Sequence, residues 1–136
     1  MEVSRILLDT SAYSAMRRGD ERLRAPIQEA SEAFLTAVVI GELLFGFLGG
    51  SVARQNRSLL REFVHSPRVT VLPLDEETAE RYSVIRDYLR QQGKPIPVND
   101  LWIAASAAQH GLRLLTLDDH FKVVPQVLLE YFEPKT

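Results

Sequence analysis

The sequence predicts an α/β fold of three layers, α/β/α, with a mostly parallel central sheet. Short apolar runs alternate with longer amphipathic segments along the 136 residues, and this alternation is typical of βα units. No internal repeat, low-complexity segment or domain linker divides the chain, and one domain is expected for this length. We therefore predict a single domain that covers residues 1–136.

Five apolar runs are predicted as strands, because each is short and is bounded by polar, Gly or Pro residues. The third run is also rich in β-branched residues, which favour strands. The predicted strands are residues 5–8, 33–37, 68–74, 112–117 and 127–132.

Six segments between these runs are predicted as helices. Several begin near Ser or an acid and end near Gly, which are the residues that favour helix starts and stops. Pro26 lies inside the second segment and is expected to disturb it. The predicted helices are residues 11–19, 20–30, 38–50, 51–66, 75–93 and 100–111.

The composition excludes some classes of protein. The chain has no Cys, so disulfides and thiolate metal sites are excluded, and a reducing compartment fits. The N-terminal residues show no basic start followed by a long apolar segment. The most apolar stretch, 37–50, contains Glu42 and is too short to span a bilayer. We expect a cytoplasmic protein with no membrane segment.

The formal net charge of −2 argues, taken alone, against a nucleic-acid binder. The acids, however, are not spread evenly over the predicted elements. If five of them share one pocket, the rest of the chain is mildly basic, which is compatible with a phosphate-bearing substrate. These five are Asp9, Glu42, Asp100, Asp118 and Asp119.

Three of the predicted elements place acids where ligands bind in open parallel sheets, beyond the carboxyl ends of the strands. Asp9 follows the first strand, the pair Asp118 and Asp119 follows the fourth, and Asp100 opens a helix. Each acid also has a purely structural explanation. Asp9 and one of the pair are suited to cap a helix or turn, and Asp100 suits a helix dipole, with Asn99 as the cap.

Glu42 has no such simple explanation. It lies in a helix that is apolar nearly all round, and a helix of that kind is expected to be mostly buried. No Lys or Arg lies one helical turn away from it, and a buried carboxylate is costly unless it is paired or bound to metal. The sequence therefore favours a functional role for Glu42.

Four carboxylates that converge without a local cation repel one another, and a divalent cation removes that repulsion. Oxygen ligands of this kind suit Mg²⁺ or Mn²⁺, whereas zinc and copper fit poorly without His or thiol ligands. A metal ion held in this way activates water and stabilises charge on a leaving oxygen. The chemistry we expect is metal-assisted hydrolysis of a phosphodiester.

The stretches LLDTSAY, VVIGELLFG, VNDLWIAASAAQHG and LLTLDDHF resemble, in order and separation, those of a PIN-domain ribonuclease, with the VapC-type toxins as the most similar subgroup. The resemblance implies four catalytic acids, three acids as metal ligands, and two hydroxyls that support them. The catalytic acids are Asp9, Glu42, Asp100 and Asp118; the metal ligands are Asp9, Asp100 and Asp118, with Asp119 as the alternative to Asp118; the supporting hydroxyls are Ser11 and Thr116.

The resemblance also implies a function. Proteins of this subgroup are endoribonucleases that depend on Mg²⁺ or Mn²⁺, are inhibited by a small antitoxin protein and usually form homodimers. Two alternatives stay open: an inactive binding module of the same fold, and a phosphoacceptor domain of the receiver type. A receiver needs two acids after its first strand, and here only Asp9 stands there.

Other side chains were weighed as RNA or partner contacts. Arg54, Arg57 and Arg61 are three and four residues apart, so they share one helix face that is either an RNA contact or simply solvated. Arg17 and Arg18 have the same two explanations. The helix that contains Leu43–Leu48 has more apolar faces than one core contact requires, so we expect part of it, together with residues of the 51–66 helix, to contact another protein chain.

A second group of side chains has structural explanations that we prefer to functional ones. Tyr13 and Trp102 are able to stack on bases, but burial is the expected state of Trp102. His120 adjoins the acid pair and is expected to be a surface residue that at most contacts a phosphate.

Overall fold

The computed structural model describes residues 4–135, and its centre is one sheet of five strands in which every neighbouring pair is parallel. The strand order across the sheet is β3-β2-β1-β4-β5. The strands are β1 (Arg5–Leu8), β2 (Glu32–Thr36), β3 (Val69–Leu72), β4 (Arg113–Thr116) and β5 (Leu128–Tyr131). The predicted parallel sheet is confirmed.

Helices form every connection except the one between β4 and β5, which carries a short 3-10 helix, Asp119–Val123. None of the helices in the described range 4–135 is both long and apolar enough to cross a membrane. The α-helices are α1 (Thr10–Arg17), α2 (Glu21–Glu29), α3 (Ala37–Leu48), α4 (Ala53–Val64), α5 (Glu76–Gln91) and α6 (Val98–His110).

The helices lie in two layers, because crossover connections between parallel strands are right-handed. The connections from β1 to β2 and from β2 to β3 run in one direction across the sheet, so α1 to α4 share one face. The connection from β3 back to β4 runs in the other direction, so α5 and α6 share the opposite face, where they pack against each other. The predicted three-layer α/β/α class is confirmed.

The two central strands are buried on both faces, as expected for a parallel sheet between two helix layers. Leu7 and Leu8 of β1 and Leu114 and Leu115 of β4 have no exposed surface. Strands that are buried on both faces require continuous apolar runs rather than alternating ones. Both β1 and β4 have such runs in the sequence. The rigid centre of the sheet fixes the residues that follow β1 and β4.

Two helices differ from their predictions. Pro26 lies inside α2 without ending it, although a proline lacks the backbone donor for an intrahelical bond and its ring crowds the preceding turn. Helix α6 begins at Val98, with Pro97 at the N-cap position. The expectation that Asn99 caps this helix is therefore wrong: Asn99 lies in the first turn, and its side chain is free to reach another element.

The strand order reverses direction between β1 and β4, which both leave their carboxyl ends at the same edge of the sheet. Chain connections depart to opposite sides at this point and leave a crevice, which is the usual ligand site of open α/β sheets. The residues that directly follow the two strands are Asp9 and Leu117–Asp118.

Candidate metal centre

Asp9 is the N-cap of α1, so the structural role considered for it is real. Its carboxylate oxygen Oδ1 accepts hydrogen bonds from the backbone N–H of Ala12 at 2.8 Å and from the hydroxyl of Ser11 at 2.7 Å. Its other oxygen, Oδ2, accepts a hydrogen bond from the hydroxyl of Thr116. The carboxylate is thereby fixed through both oxygens, and Oδ2 retains a lone pair for a further ligand.

Burial controls the electrostatics of Asp9, whose residue surface is only 3% exposed. Loss of solvation raises the pKa of Asp9 from 3.8 to about 6, although its three hydrogen bonds lower the pKa and offset part of that effect. Repulsion from the charge of Asp100 raises the pKa further. A carboxylate that is disfavoured in this way gains most from a nearby cation.

Asp118 is fixed by the turn that follows β4. Its backbone N–H donates to the hydroxyl of Thr116 at 2.9 Å, and its carboxylate caps the 3-10 helix by accepting from the backbone N–H of His120 at 2.9 Å. Phe121 lies in the same short helix and is fully buried, which anchors the turn to the core. The expected cap and the expected site residue are thus the same side chain.

Asp100 is the acid that connects the others. It lies in the first turn of α6, and burial raises the pKa of its carboxyl group, while a hydrogen bond from His120 lowers that pKa. The negative charges of Asp118 and Glu42 raise the pKa of Asp100 as well. The charge of Asp100 also raises the pKa of Asp9. Asp100 therefore interacts electrostatically with each of the other three predicted acids.

His120 is exposed, as expected of a surface histidine, but its ring also contacts two of the acids. Its ring atom Nδ1 lies 2.9 Å from Oδ2 of Asp100 and 3.0 Å from Oδ1 of Asp118. The hydrogen bond to Asp100, followed by the charges of the nearby acids, raises the pKa of His120. The sequence shows that His120 is adjacent to the acid pair. It does not show that Asp100, which is distant along the chain, lies next to the ring.

Glu42 is only half-buried, so the expectation of a mostly buried carboxylate is wrong. Helix α3 packs against the core on one side, through residues such as Val39 and Leu43, and leaves its other side exposed. Glu42 accepts a 2.6 Å hydrogen bond from the hydroxyl of Thr10 at one oxygen and a 3.2 Å bond from the amide of Asn99 at the other.

Thr10 and Asn99 were both missed as members of the site. Each directly neighbours a predicted acid in the sequence, and that adjacency was the available signal. Through them Glu42 is connected to α1 and α6, the helices that also carry Asp9 and Asp100.

The tightest grouping contains ligand atoms of three residues, Asp100, Asp118 and His120, which lie within 4.8 Å of one another. Asp9 and Glu42 lie outside this grouping and are coupled to it through Asp100. Asp119 is exposed and also lies outside it. The geometry therefore favours Asp118 over its neighbour, and the choice between them stays a prediction.

The arginines considered as RNA contacts lie in two different environments: those of α4 are exposed, whereas Arg17 is hydrogen-bonded to other parts of the chain. Arg54, Arg57 and Arg61 are all exposed on α4, as their spacing predicts, but only Arg57 and Arg61 line the groove of about 140 Å³ between α3 and α4. Arg17 has a structural role: it donates to the hydroxyl of Tyr13 at 3.0 Å and to a backbone carbonyl of α4, at Leu59, at 3.1 Å.

The two aromatic side chains considered for base stacking have internal partners. Tyr13 is buried and contacts Phe63 edge-on, with ring centroids 5.5 Å apart. Trp102 is partly buried and stacks on Tyr82 at 4.0 Å between centroids. The expected burial of Trp102 is the better description, and neither ring is available for RNA in this conformation.

One apolar side of α3 is left exposed by the part of the chain that the structure describes, residues 4–135. Phe45 is 78% exposed and Leu48 is 75% exposed. The two residues are three apart in a helix, so their side chains lie on the same face. Complete burial of this helix within the monomer, the alternative to a partner contact, is therefore excluded.

Comparison with known proteins agrees with this geometry. Residues 6–127 match the PIN domain family. The chain is 32% identical over 130 residues to Ribonuclease VapC4 of Mycobacterium tuberculosis, covering 93% of this chain and 96% of that protein.

Two solved structures are also similar. The crystal structure of VapBC-5 from Mycobacterium tuberculosis, a member of the VapBC family of toxin–antitoxin systems, superimposes with a TM-score of 0.74 at 30% identity, covering 96% of this chain and 99% of that one. VapBC2 from Rickettsia felis, solved bound to a DNA fragment from its promoter, shares the fold, with a TM-score of 0.83 at 24% identity and coverage of 95% and 99%. The chain belongs to the PIN domain family, among its VapC-type members.

Proposed function

We propose that this chain is a metal-dependent endoribonuclease that acts as the toxin of a toxin–antitoxin pair. The observation that supports the proposal is a group of carboxylates near the point where the strand order of a PIN-family sheet reverses. Ligand atoms of Asp100 and Asp118 lie within 4.8 Å of each other. Asp9 and Glu42 lie outside this pair and interact electrostatically with Asp100. A ribonuclease and a toxin–antitoxin protein among the relatives support the same conclusion.

The donor set fits Mg²⁺ or Mn²⁺. No Lys or Arg between residues 4 and 135 forms an ion pair with any of the four acids. Within these residues, His120 is therefore the only basic side chain paired with the acids to offset their mutual repulsion. Carboxylate oxygens are the ligands that hard divalent cations prefer. We propose that Asp9, Asp100 and Asp118 hold the ion, with Asp119 as the alternative to Asp118.

A divalent ion in this position would lower the pKa of a bound water and neutralise charge on the scissile phosphate. The protein's own contribution is placement. Ser11 and Thr116 keep the Asp9 carboxylate in a fixed orientation, and Thr10 and Asn99 do the same for Glu42. Because Glu42 is half-exposed and keeps free lone pairs, it is suited to hold a water molecule beside the phosphate.

The RNA strand requires contacts outside the acidic centre, since a site of four acids repels phosphates in the absence of metal. We propose that the exposed Arg54, Arg57 and Arg61 of α4 supply sequence-independent phosphate contacts. Their effect should be strongest at low ionic strength, because exposed charges are screened by salt.

The exposed side of α3 supports the proposed protein partners. Phe45 and Leu48 place two large apolar side chains in solvent, and such patches commonly mark protein interfaces. Since a VapBC relative is a toxin–antitoxin protein, we propose a small cognate antitoxin and a homodimer as partners. We propose that the protein acts in the cytoplasm, where an RNA substrate is available.

The proposal is tested by a nuclease assay on total RNA and on transfer RNA, with Mg²⁺, Mn²⁺ or a chelator. Wild-type protein should cleave only with metal, and Asp100→Asn should reduce the rate by about 10²-fold or more, as expected for loss of a group that acts in the transition state. Asp87→Asn is the matched control, because Asp87 is an exposed acid of α5 paired with Arg90. Cleavage that ignores both the chelator and Asp100→Asn would defeat the proposal.

The two alternatives make different predictions. An inactive PIN-fold binding module would bind RNA without cutting it, and a calorimetric Mg²⁺ or Mn²⁺ titration would show no binding at the acids. A receiver domain is opposed by the sheet order, because receivers use the order 2-1-3-4-5 and this sheet has β3-β2-β1-β4-β5.

A further inference from the structure

We propose that His120 is a nitrogen ligand of the metal ion and that its imidazole makes the site prefer a transition-metal ion such as Mn²⁺ over Mg²⁺. The inference rests on the proposed function, because it concerns the same metal centre. It adds a ligand of a different chemical class to a set that otherwise consists of oxygen atoms.

The geometry of the ring is the first argument. Nδ1 of His120 lies 2.9 Å from an oxygen of Asp100 and 3.0 Å from an oxygen of Asp118. In an octahedral site with metal–ligand distances of about 2.1 Å, adjacent ligand atoms are about 3.0 Å apart. The nitrogen thus already has the spacing that a shared ion requires from both carboxylates. Hydrogen bonds have similar lengths, and the role as a ligand is supported further by the position of the backbone and by the chemistry of imidazole.

The second argument is that the backbone fixes the turn that carries the ring beside the acids. The N–H of His120 donates to the carboxylate of Asp118 at 2.9 Å, and the next residue, Phe121, is fully buried. The imidazole therefore cannot leave the centre by a movement of the whole turn unless Phe121 leaves the core. Its side chain is 47% exposed, so it contributes little to packing and its position beside two acids has no core-packing explanation.

The third argument is ligand chemistry. Mg²⁺ takes oxygen ligands and keeps much of its water, whereas imidazole suits first-row transition metals such as iron, nickel and zinc, and Mn²⁺ lies between these metals and Mg²⁺. A site of carboxylates alone discriminates weakly between Mg²⁺ and Mn²⁺. Replacing one oxygen by an imidazole nitrogen moves the preference towards the transition metal, and this difference is what an experiment can measure without any RNA.

The first measurement is the dissociation constant of the whole protein for Mn²⁺ alone and for Mg²⁺ alone, by calorimetry. We expect His120→Ala to weaken Mn²⁺ binding by about tenfold or more while Mg²⁺ binding changes much less, in line with the effect of losing a group at a metal site. His120→Asn places a carboxamide oxygen near the position of Nδ1 and should retain Mg²⁺ binding but lose the preference for Mn²⁺. The control is His65→Asn, at the end of α4, whose ring contacts Arg61.

The second measurement is pulsed EPR of the Mn²⁺-loaded protein, which reports directly coordinated nitrogen. Wild-type protein should show a ¹⁴N coupling that changes to the ¹⁵N pattern when histidine is ¹⁵N-labelled, and the coupling should be absent in His120→Ala. The His65→Asn variant should keep the coupling.

Two outcomes overturn the inference. One is the absence of nitrogen coupling in the wild-type spectrum. The other is unchanged or tighter Mn²⁺ binding in His120→Ala, since tighter binding would mean that the imidazole competes with the ion. If Asp100→Asn still abolishes metal binding in those cases, the proposed function survives and only the role of His120 is wrong. If neither variant affects metal binding, the proposed metal centre itself is wrong.

Discussion

The hydroxyl of Thr116, the last residue of β4, donates a hydrogen bond to the carboxylate of Asp9, the first residue after β1. The parallel register brings the two together, because Leu8 pairs with Leu115 and the next residues of both strands then face each other. The same hydroxyl accepts from the backbone N–H of Asp118 at 2.9 Å. One buried hydroxyl thus positions two of the proposed metal ligands.

Replacing Thr116 by Val should therefore damage both stability and metal binding. Val fills the same volume but leaves an oxygen of Asp9 and the N–H of Asp118 without their partner. Because Thr116 is fully buried, we expect a loss of about 1–3 kcal/mol in the free energy of unfolding and weaker Mg²⁺ binding. Urea denaturation and a metal titration measure the two effects.

Thr116→Ser is the matched control for this substitution, since it keeps the hydroxyl and removes only a methyl group. It should lose less stability than Thr116→Val and should bind metal nearly as wild type does. Equal metal binding by the Val and Ser variants would show that the hydroxyl has no role in the site.

The raised pKa of Asp9 predicts an unusual pH dependence in the absence of metal. Because the pKa rises from 3.8 to about 6 on folding, the folded state binds the proton more tightly than the unfolded state. The resulting contribution to the free energy of unfolding is present in full below pH 3.8 and is lost as the pH rises through about 6. Asp9→Asn removes the buried charge and should be more stable than wild type at pH 8, by about 1–3 kcal/mol.

Chemical denaturation from pH 4 to pH 8, with chelator present, measures this difference. The two proteins should converge in stability towards pH 4, where Asp9 is protonated in the folded state. Added Mg²⁺ should stabilise the wild type, since a ligand that binds only the folded state raises its stability, and should have a smaller effect on Asp9→Asn. A stability difference that does not vary with pH would contradict the predicted titration of Asp9.

The adjacent acids after β4 should behave differently. Asp118 lies in the grouping with Asp100 and His120, whereas Asp119 is exposed and outside it. We expect Asp118→Asn to weaken Mg²⁺ binding by about tenfold or more and Asp119→Asn to weaken it less. Calorimetry on the two variants decides the order, and the opposite ranking would make Asp119 the ligand.

The layers of the fold and the positions of the acids could be predicted because they depend on local patterns. Apolar runs specified the strands, and the end of each strand specified where Asp9 and Asp118 emerge. The side-chain partners could not be predicted in the same way. Thr10 and Asn99 reach Glu42 across 32 and 57 residues, and no periodicity within a single helix contains that information.

The surroundings of Glu42 illustrate the same limit. The helix is apolar nearly all round, which predicts burial if a helix is expected to be covered by its own chain. A helix at the surface of one chain shows the same composition when another chain covers it. Sequence alone does not distinguish a helix covered by its own chain from one that keeps an apolar side at the surface. The exposure of Phe45 in α3 identifies the second case.

The exposed side of α3 yields the last prediction. Changing Phe45 and Leu48 together to Gln keeps residues that favour a helix and removes two large apolar side chains that are 78% and 75% exposed. The unfolding free energy of the isolated chain should change little, since substitutions at exposed positions usually have effects within about 0.5 kcal/mol, but association should weaken.

Light scattering of the chain alone reports the homodimer, and co-purification with the co-expressed antitoxin reports the other partner. Val84→Gln, at an apolar position of α5 that is 63% exposed, controls for a general loss of surface hydrophobicity. If the double variant keeps both the wild-type mass and the antitoxin, this side of α3 is not an interface.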